Sequence, residues 1–390
     1  MKKYNFDEII TRKGTNCVKH DGMGPSFGKT DLLPMWVADM DFRTPDFIME
    51  AIRTRCQHEV LGYATASESY YESATQWLLR HYHISAPRKT LHFIPGIVAG
   101  IAFVIQAFTQ PGDNILVMTP VYPPFLNLPL GGSRQLRCSK LKIINGRFCI
   151  DFDQLDQYAA GCKLMILSNP HNPGGTVWSR SDLEKIADIC HRHHVIVVSD
   201  EIHADLTLPG YQHTAFSTIN DTAKENSITF IAPSKTFNMA GLGSSIAYTP
   251  NDSLREQLHH YLDSYELANG NIFAFVGAEA AFRYGEEWLD QLKAYLNENV
   301  QFLNEYIVQF LPKVKTVLPE ASFLPWLDFN AYDICHNDLR DRFINQAKVA
   351  LNDGTTFGGP DYNGCFRLNI GCPRLILRLA LDRIASVIDK

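Results

Sequence analysis

Lys235 lies in the run Ala232-Pro233-Ser234-Lys235-Thr236-Phe237-Asn238-Met239-Ala240-Gly241-Leu242, directly after the apolar stretch Ile228-Thr229-Phe230-Ile231. A lysine at the end of a buried strand is poorly placed for a surface charge, because burial disfavours its ammonium form and lowers its pKa. An amine that is neutral near pH 7 can form a Schiff base. On this segment alone, a lysine whose methylene stem reaches out to solvent fits as well. Three more residues follow apolar runs in the same manner. Asn114–Thr119 leads into Pro120-Val121-Tyr122, Lys163–Ser168 into Asn169-Pro170-His171-Asn172, and Val195–Ser199 into Asp200-Glu201-Ile202-His203. Singly, Tyr122 can punctuate a turn, Asn172 can make an Asx-turn and Asp200 can cap the next segment. Together with Lys235 they form a set of strand-end residues that could converge on one edge.

Their chemistry is mutually consistent with a pyridoxal phosphate site. Such a site needs a lysine to hold the aldehyde and a carboxylate to keep the pyridine nitrogen protonated, because the ring is an electron sink only as a pyridinium. Lys235 and Asp200 supply these. Asn172 can donate to the ring O3′, and Tyr122 can stack on the ring face. The phosphate needs backbone N–H groups at a helix start. Pro95-Gly96-Ile97-Val98 provides one, through Gly96 and Ile97, and the Ser234 hydroxyl can add a contact.

The elements that must position these residues can be read from the hydrophobic pattern. Between about residues 90 and 250, short runs rich in Ile, Val, Leu and Phe alternate with helical stretches. Strands are expected at Asn114–Thr119, Lys163–Ser168, Val195–Ser199, Ser227–Ala232 and Ser244–Tyr248. Nearly continuous apolar strands are covered on both faces, as in a parallel α/β sheet with function at the carboxyl ends of its strands. Ile97 to Phe108 reads as a buried helix. Ser181-Asp182-Leu183-Glu184 reads as a capping box that opens a helix running to about His193. From about Gly270 to Leu311 the pattern is helical, and the tail after Pro312 reads as a smaller α+β unit. The expectation is a three-layer α/β sandwich on a mainly parallel sheet. An N-terminal segment, 1–45, would join a small C-terminal domain, 285–390, beside a large domain, 46–284.

Bulk properties exclude several classes. The chain has 390 residues, 45% of them hydrophobic, with a net charge of −6, so no general basic footprint for nucleic acid exists. Apolar runs such as Val195-Ile196-Val197-Val198 are too short to span a membrane. The N-terminal stretch soon turns acidic and lacks a signal-peptide core. Nine scattered cysteines without a Cys-x-x-Cys pair fit reduced thiols in the cytoplasm. Gly24-Pro-Ser-Phe-Gly28-Lys29-Thr30 is not a P-loop: only three residues separate its glycines, and no apolar strand precedes it. His191, His193 and His194 lie at an expected helix end without acidic or Cys partners at ligand spacing, and no metal site is read there.

Asn169-Pro-His-Asn-Pro-Gly-Gly, Ser199-Asp-Glu-Ile-His and Pro233-Ser-Lys-Thr-Phe-Asn-Met-Ala-Gly-Leu resemble, in order and over essentially the whole chain, the class I/II aminotransferase superfamily of pyridoxal phosphate enzymes. Trp36-Val-Ala-Asp-Met-Asp-Phe, with Ile202-His203, narrows the likeness to MalY/PatB-type cystathionine β-lyases. The resemblance implies a fold type I enzyme of methionine and cysteine metabolism that cleaves cystathionine, related cysteine S-conjugates or cysteine to thiol, pyruvate and ammonia. It implies that Lys235 is the Schiff-base lysine and proton-transfer base, that Asp200 pairs with the pyridine nitrogen, and that Asn172 and His203 lie at O3′. Tyr63 would reach the phosphate of a neighbouring subunit in a homodimer. Arg367 would clamp the substrate carboxylate, with the backbone near Ala38 closing over it, and Trp36 and Tyr122 would line the cleft. One departure stands out: many aminotransferases carry an arginine shortly after Gly-Leu, where this chain has Gly241-Leu242-Gly243-Ser244. That favours the lyase branch. Alternatives are an aminotransferase on the same scaffold, or a lyase that also binds a transcription regulator.

Overall fold

The computed structural model describes residues 2–388. Its centre is a seven-stranded sheet built from Leu91–Ile94 (β1), Asn114–Thr119 (β2), Gln135–Lys140 (β3), Cys162–Ser168 (β4), Ile196–Asp200 (β5), Ser227–Ile231 (β6) and Ser245–Tyr248 (β7). The order across the sheet is β1-β7-β6-β5-β4-β2-β3, with β7 antiparallel to both neighbours and the remaining pairs parallel. Every residue of β6 is buried, and only Lys163 of β4 is exposed. Near-continuous apolarity therefore reports a strand covered on both faces.

The register sets the site. Ser168 of β4 pairs with Asp200 of β5, and Asp200 pairs with Phe230 of β6. The three strands therefore end almost level. The chain leaves β2, β4, β5 and β6, four neighbours in the sheet, towards the same edge.

One face of the sheet is covered by the helix Ile97–Phe108, which buries Ile97, Ile101, Val104 and Ile105. Gly100 lets it approach closely: a Cβ there would lie 2.5 Å from the Phe230 ring and 2.9 Å from Ile94. The other face carries Arg180–Arg192, which buries Leu183, Ile186 and Ile189. Each such aliphatic side chain contributes about 1.5–3 kcal/mol by leaving water. This helix begins two residues earlier than the sequence suggests. Ser179, not Ser181, is the cap, and its hydroxyl and Asp182 form the reciprocal box.

A four-stranded antiparallel sheet forms from Lys315–Val317, Trp326–Asp328, Cys365–Arg367 and Asn352–Asp353. The helix Glu286–Phe310 buries Trp288, Leu289, Leu292, Leu296 and Leu303. Phe6 packs edge-on against Trp288, and Leu33–Pro34 pairs in parallel with Val349–Ala350. The N-terminal stretch is thus sewn to the C-terminal part of the chain.

Several elements were not expected. The strand Gln135–Lys140 lies at the sheet edge and alternates exposed with covered residues, so it has no continuous apolar run. Met23–Phe27 forms a short helix that overlaps the Gly24–Thr30 stretch. A π-helical turn covers Arg342–Ala347.

Candidate active site

Lys235 follows β6 within a single turn of helix, Pro233–Thr236, so its side chain rises from the sheet edge. It lines a cavity of about 240 Å³ together with Tyr122, Asn172, Asp200, His203 and Ser234. Its Nζ donates to the carbonyl of Ala38 at 2.7 Å. Burial pushes this amine down to about 8, Asp39 opposes the shift, Arg367 adds to it, and Asp200 opposes it again. An amine so poised is a proton acceptor at mildly alkaline pH.

Asp200 ends β5, and burial pushes its carboxyl up to about 7. The backbone N–H of Ile202, which donates to Oδ1 at 3.0 Å, and the charge of Lys235 oppose this, while Glu201 reinforces it. A carboxylate this deeply buried is stabilised by a cation placed against it. His203 sits in the same cavity, with burial, Lys235 and Arg367 holding its ring neutral down to about pH 3. Its Nδ1 is buried and without a hydrogen-bond partner.

Asn172 and Tyr122 are positioned by their own loops. The backbone N–H of Tyr122 donates to the carbonyl of Asn172 at 3.0 Å, and the neighbouring buried His171 ring contacts the Pro120 carbonyl at 2.8 Å. These contacts tie the ends of β2 and β4 together. Burial raises the Tyr122 phenol, so the ring presents itself as a neutral aromatic wall.

The helix start contributes backbone donors. Gly96 has φ 116°, a conformation that favours glycine, and turns the chain into Ile97–Phe108. Its own N–H is taken by the Ile94 carbonyl, and the first intrahelical donor is Gly100 to Gly96. The N–H groups of Ile97, Val98 and Ala99 are therefore the orphans of the first turn, and all three residues line the cavity. Gly96 serves as the hinge of this cradle; the donors come from the residues after it. Ser234 lines the cavity beside them, whereas Ser244 does not.

Arg367, at the end of the Cys365–Arg367 strand, is buried at 3% exposure. It donates to Asn172 Oδ1 at 3.1 Å, to the Trp36 carbonyl at 3.0 Å and to Asn352 Oδ1 at 2.5 Å, and lies 5.0 Å over the Phe357 ring. Its Nε has no partner, and burial pushes the guanidinium down to about 10. All of its bonds are to neutral oxygens. A buried fork without an anion is the arrangement expected of a carboxylate receptor.

The segment 35–44 forms a roof over these groups, and its attachments were not evident in the sequence. Asn238 accepts from the Met40 N–H and donates to the carbonyls of Met40 and Phe42. Asn369 donates to the carbonyls of Val37 and Asp39. Arg12 bonds Asp39 and Asp41, and the buried Lys19 reaches Asp41 at 2.7 Å. Asn238 has φ 51°, a left-handed geometry that asparagine tolerates and that only the fold discloses.

Three expected residues, Arg367, Trp36 and Tyr63, are not among those lining the cavity; Arg367 meets it through its bond to Asn172. Trp36 gives only its carbonyl, to Arg367. Its indole donates to the Lys19 carbonyl, packs edge-on against Phe27, and lines a separate cavity of about 200 Å³. Its indole therefore lies in that second cavity and not in the one around Lys235. Tyr63 is fully exposed, in the loop between the helices Asp46–Cys56 and Glu68–Tyr82. Within one chain it does not line the cavity. His193 contacts Asp156 at 2.7 Å. Among the described residues, no helix is long and apolar enough to cross a membrane.

The donors and acceptors fit pyridoxal phosphate. An orphaned helix start suits the phosphate, the buried Asp200 a protonated ring nitrogen, Asn172 Nδ2 and the unpartnered His203 the ring oxygen, and Lys235 the aldehyde.

Comparisons with known proteins agree with this chemistry. Residues 30–384 match the family Aminotransferase class I and II. The chain is 40% identical to cystathionine beta-lyase PatB of Bacillus subtilis (strain 168), over 99% of this chain and 100% of that protein. It is 31% identical to protein MalY of Escherichia coli (strain K12), over 99% of each. The PLP-bound C–S lyase from Staphylococcus hominis superposes with a TM-score of 0.92 at 32% identity, covering 100% of this chain and 99% of that one.

Proposed function

This chain belongs to the aminotransferase class I and II family, and we propose from that premise that it is a pyridoxal-phosphate-dependent carbon–sulfur β-lyase. Its reaction is the elimination of a thiol from L-cystathionine and related cysteine S-conjugates, followed by hydrolysis to pyruvate and ammonia. The observation that carries this reading is the shared cavity of Lys235, lowered to about 8, and Asp200, raised to about 7, beside the anion-free fork of Arg367.

Pyridoxal phosphate, when bound, supplies a sink for the electron pair left at the substrate Cα. Lys235 would hold it, and the N–H groups of Ile97, Val98 and Ala99 with Ser234 would receive its phosphate. Asp200 would keep a proton on the ring nitrogen. Asn172 and His203 would donate to the ring oxygen, and Tyr122 would offer its aromatic face to the ring.

Arg367 receives the substrate α-carboxylate with its fork and thereby orients the Cα–H bond towards Lys235. The neutral Lys235 amine takes that proton. Proton transfer by a positioned amine contributes roughly 10²–10⁴ in rate, and most where its pKa lies near the working pH. The sulfur then departs from Cβ as a thiolate. The roof at 35–44 keeps water from the carbanionic carbon while this happens.

Tyr63, exposed beside the exposed Val60 and Leu61, is suited to reach the phosphate of a second copy, which makes the working unit a homodimer. Nine free cysteines are consistent with a cytoplasmic enzyme. Residues 1–45 act with 285–390 as one smaller unit against 46–284, supported by the pairing of Leu33 with Val349.

The test is a panel of cystathionine, cysteine, cystine, S-methylcysteine and aspartate, scored for thiol and pyruvate. Equal amounts of both from cystathionine are expected. Amino transfer to a keto acid without thiol release would overturn the reading in favour of an aminotransferase.

A further inference from the structure

Asp205 lies two residues beyond His203 and is 6% exposed. It accepts hydrogen bonds from Trp77 Nε1 at 3.0 Å and from the Tyr82 hydroxyl on one oxygen, and from Thr236 Oγ1 at 2.7 Å on the other. All three neighbours are donors, and among the described residues none is a cation. Both oxygens must therefore act as acceptors, which an asparagine at this position could not satisfy.

The placement of the three donors gives this node its meaning. Thr236 is the residue next to Lys235, in a helix of only four residues, Pro233–Thr236. Few backbone bonds steady that turn: Phe237 N to Pro233 O at 2.9 Å and Met239 N to Ser234 O at 3.0 Å. A single turn is not rigid by itself. The next residue, Phe237, is wedged edge-on against Trp77. On the other side, Asp205 belongs to the short turn Ala204–Leu206, whose Leu206 N–H closes onto the His203 carbonyl at 3.0 Å. Trp77 and Tyr82 both belong to the helix Glu68–Tyr82. One buried carboxylate thus links the turn that bears Lys235, the turn that bears His203, and a long helix behind both.

We propose that Asp205 is a positioning residue for Lys235, acting through the Thr236 hydroxyl to fix the point from which Nζ works. It does not touch the cavity. It turns a lone helical turn into a fixed pedestal and holds it in register with His203. Misplacement of a reacting group by about 1 Å can cost on the order of a hundredfold in rate. The inference rests on the assignment of Lys235 as the residue that holds the cofactor.

The Thr236 side chain gives the cleanest test. Thr236→Ala removes the link, Thr236→Ser restores the hydroxyl, and Asp205→Asn places a donor among donors. In cofactor-loaded enzyme, Thr236→Ala is expected to lower kcat on S-methylcysteine roughly ten- to hundredfold with KM within about twofold. It should also move the midpoint of the visible-band pH titration, which reports the lysine linkage without any substrate. Thr236→Ser should return both to near wild type, and Asp205→Asn should match Thr236→Ala. If Asp205→Asn does not accumulate folded, the Thr236 pair decides. A Thr236→Ala enzyme with a lowered melting temperature but an unmoved pH midpoint and unchanged kcat would overturn the proposal and leave the node merely structural. Failure of wild type to release thiol would count against the lyase reading alone, since the pH titration is still read.

Discussion

Arg367 donates from Nη1 to the side-chain oxygen of Asn172 at 3.1 Å, joining an inner strand of the small sheet to the loop after β4. The bond fixes the flip of the Asn172 amide: with its oxygen committed, its Nδ2–H₂ is left to donate. The group assigned to the substrate carboxylate therefore also sets the orientation of a group assigned to the cofactor.

Arg367→Lys should be far from conservative. An ammonium cannot serve Asn172, Trp36 and Asn352 and still offer a planar edge to a carboxylate. The loss should be about 3 kcal/mol, or roughly a hundredfold in kcat/KM for cystathionine, carried largely by KM. Steady-state thiol release measures it, and an unchanged KM would remove Arg367 from the carboxylate site.

Lys235→Ala should abolish both turnover and covalent capture. Borohydride reduction of loaded wild type should add the cofactor's mass to the peptide containing Lys235, and the variant should take up none. Elimination should fall on the order of 10³-fold or more, since the holding group and the base are lost together. Labelling of any other lysine in the wild type would refute the assignment.

Asp200→Asn should change stability in a pH-dependent way in cofactor-free protein. An unfolded aspartate releases its proton near pH 3.8, whereas burial holds the folded one until about 7. Between those values the folded state binds more protons, so the contribution of Asp200 to stability falls as pH rises and is lowest above 7. The full span corresponds to at most about 4 kcal/mol. The variant should therefore melt above wild type at pH 8, and the gap should close towards pH 4. A gap independent of pH would show that the carboxyl is not strained by burial.

Tyr63 can be tested by complementation. Mixed dimers of Lys235→Ala and Tyr63→Ala chains would carry one site with both intact residues, so random mixing should restore roughly a quarter of wild-type activity. Two impaired homodimers that regain nothing on mixing, although exchange is shown by size, would place Tyr63 outside the neighbouring site.

The large sheet was readable from the sequence because its inner strands are covered on both faces and so appear as unbroken apolar runs. Tyr122, Asn172, Asp200 and Lys235 could be placed at strand ends for the same reason. Edge strands escape that logic: Gln135–Lys140 has one exposed face, and its charged residues hide it. The N-cap of Arg180–Arg192 was misplaced because Ser179 and Ser181 are both capping residue types, and only geometry chooses between them. Trp36 was assigned by its side chain, yet its carbonyl faces Arg367. Asn238, Asn369 and Asp205 could not have been singled out. Each acts through contacts with residues far away in sequence, and nothing in their local pattern sets them apart.

The roof over Lys235 is fastened from the front of the chain as well as from the sheet. Arg12 and Lys19 grip the same carboxylates that flank Met40. For anyone preparing this protein, Arg12, Lys19 and the residues between them are therefore working parts. Trimming them in search of a tidier crystal would unfasten the lid of the reaction chamber from some distance away, and a bulky affinity tag belongs at the opposite end.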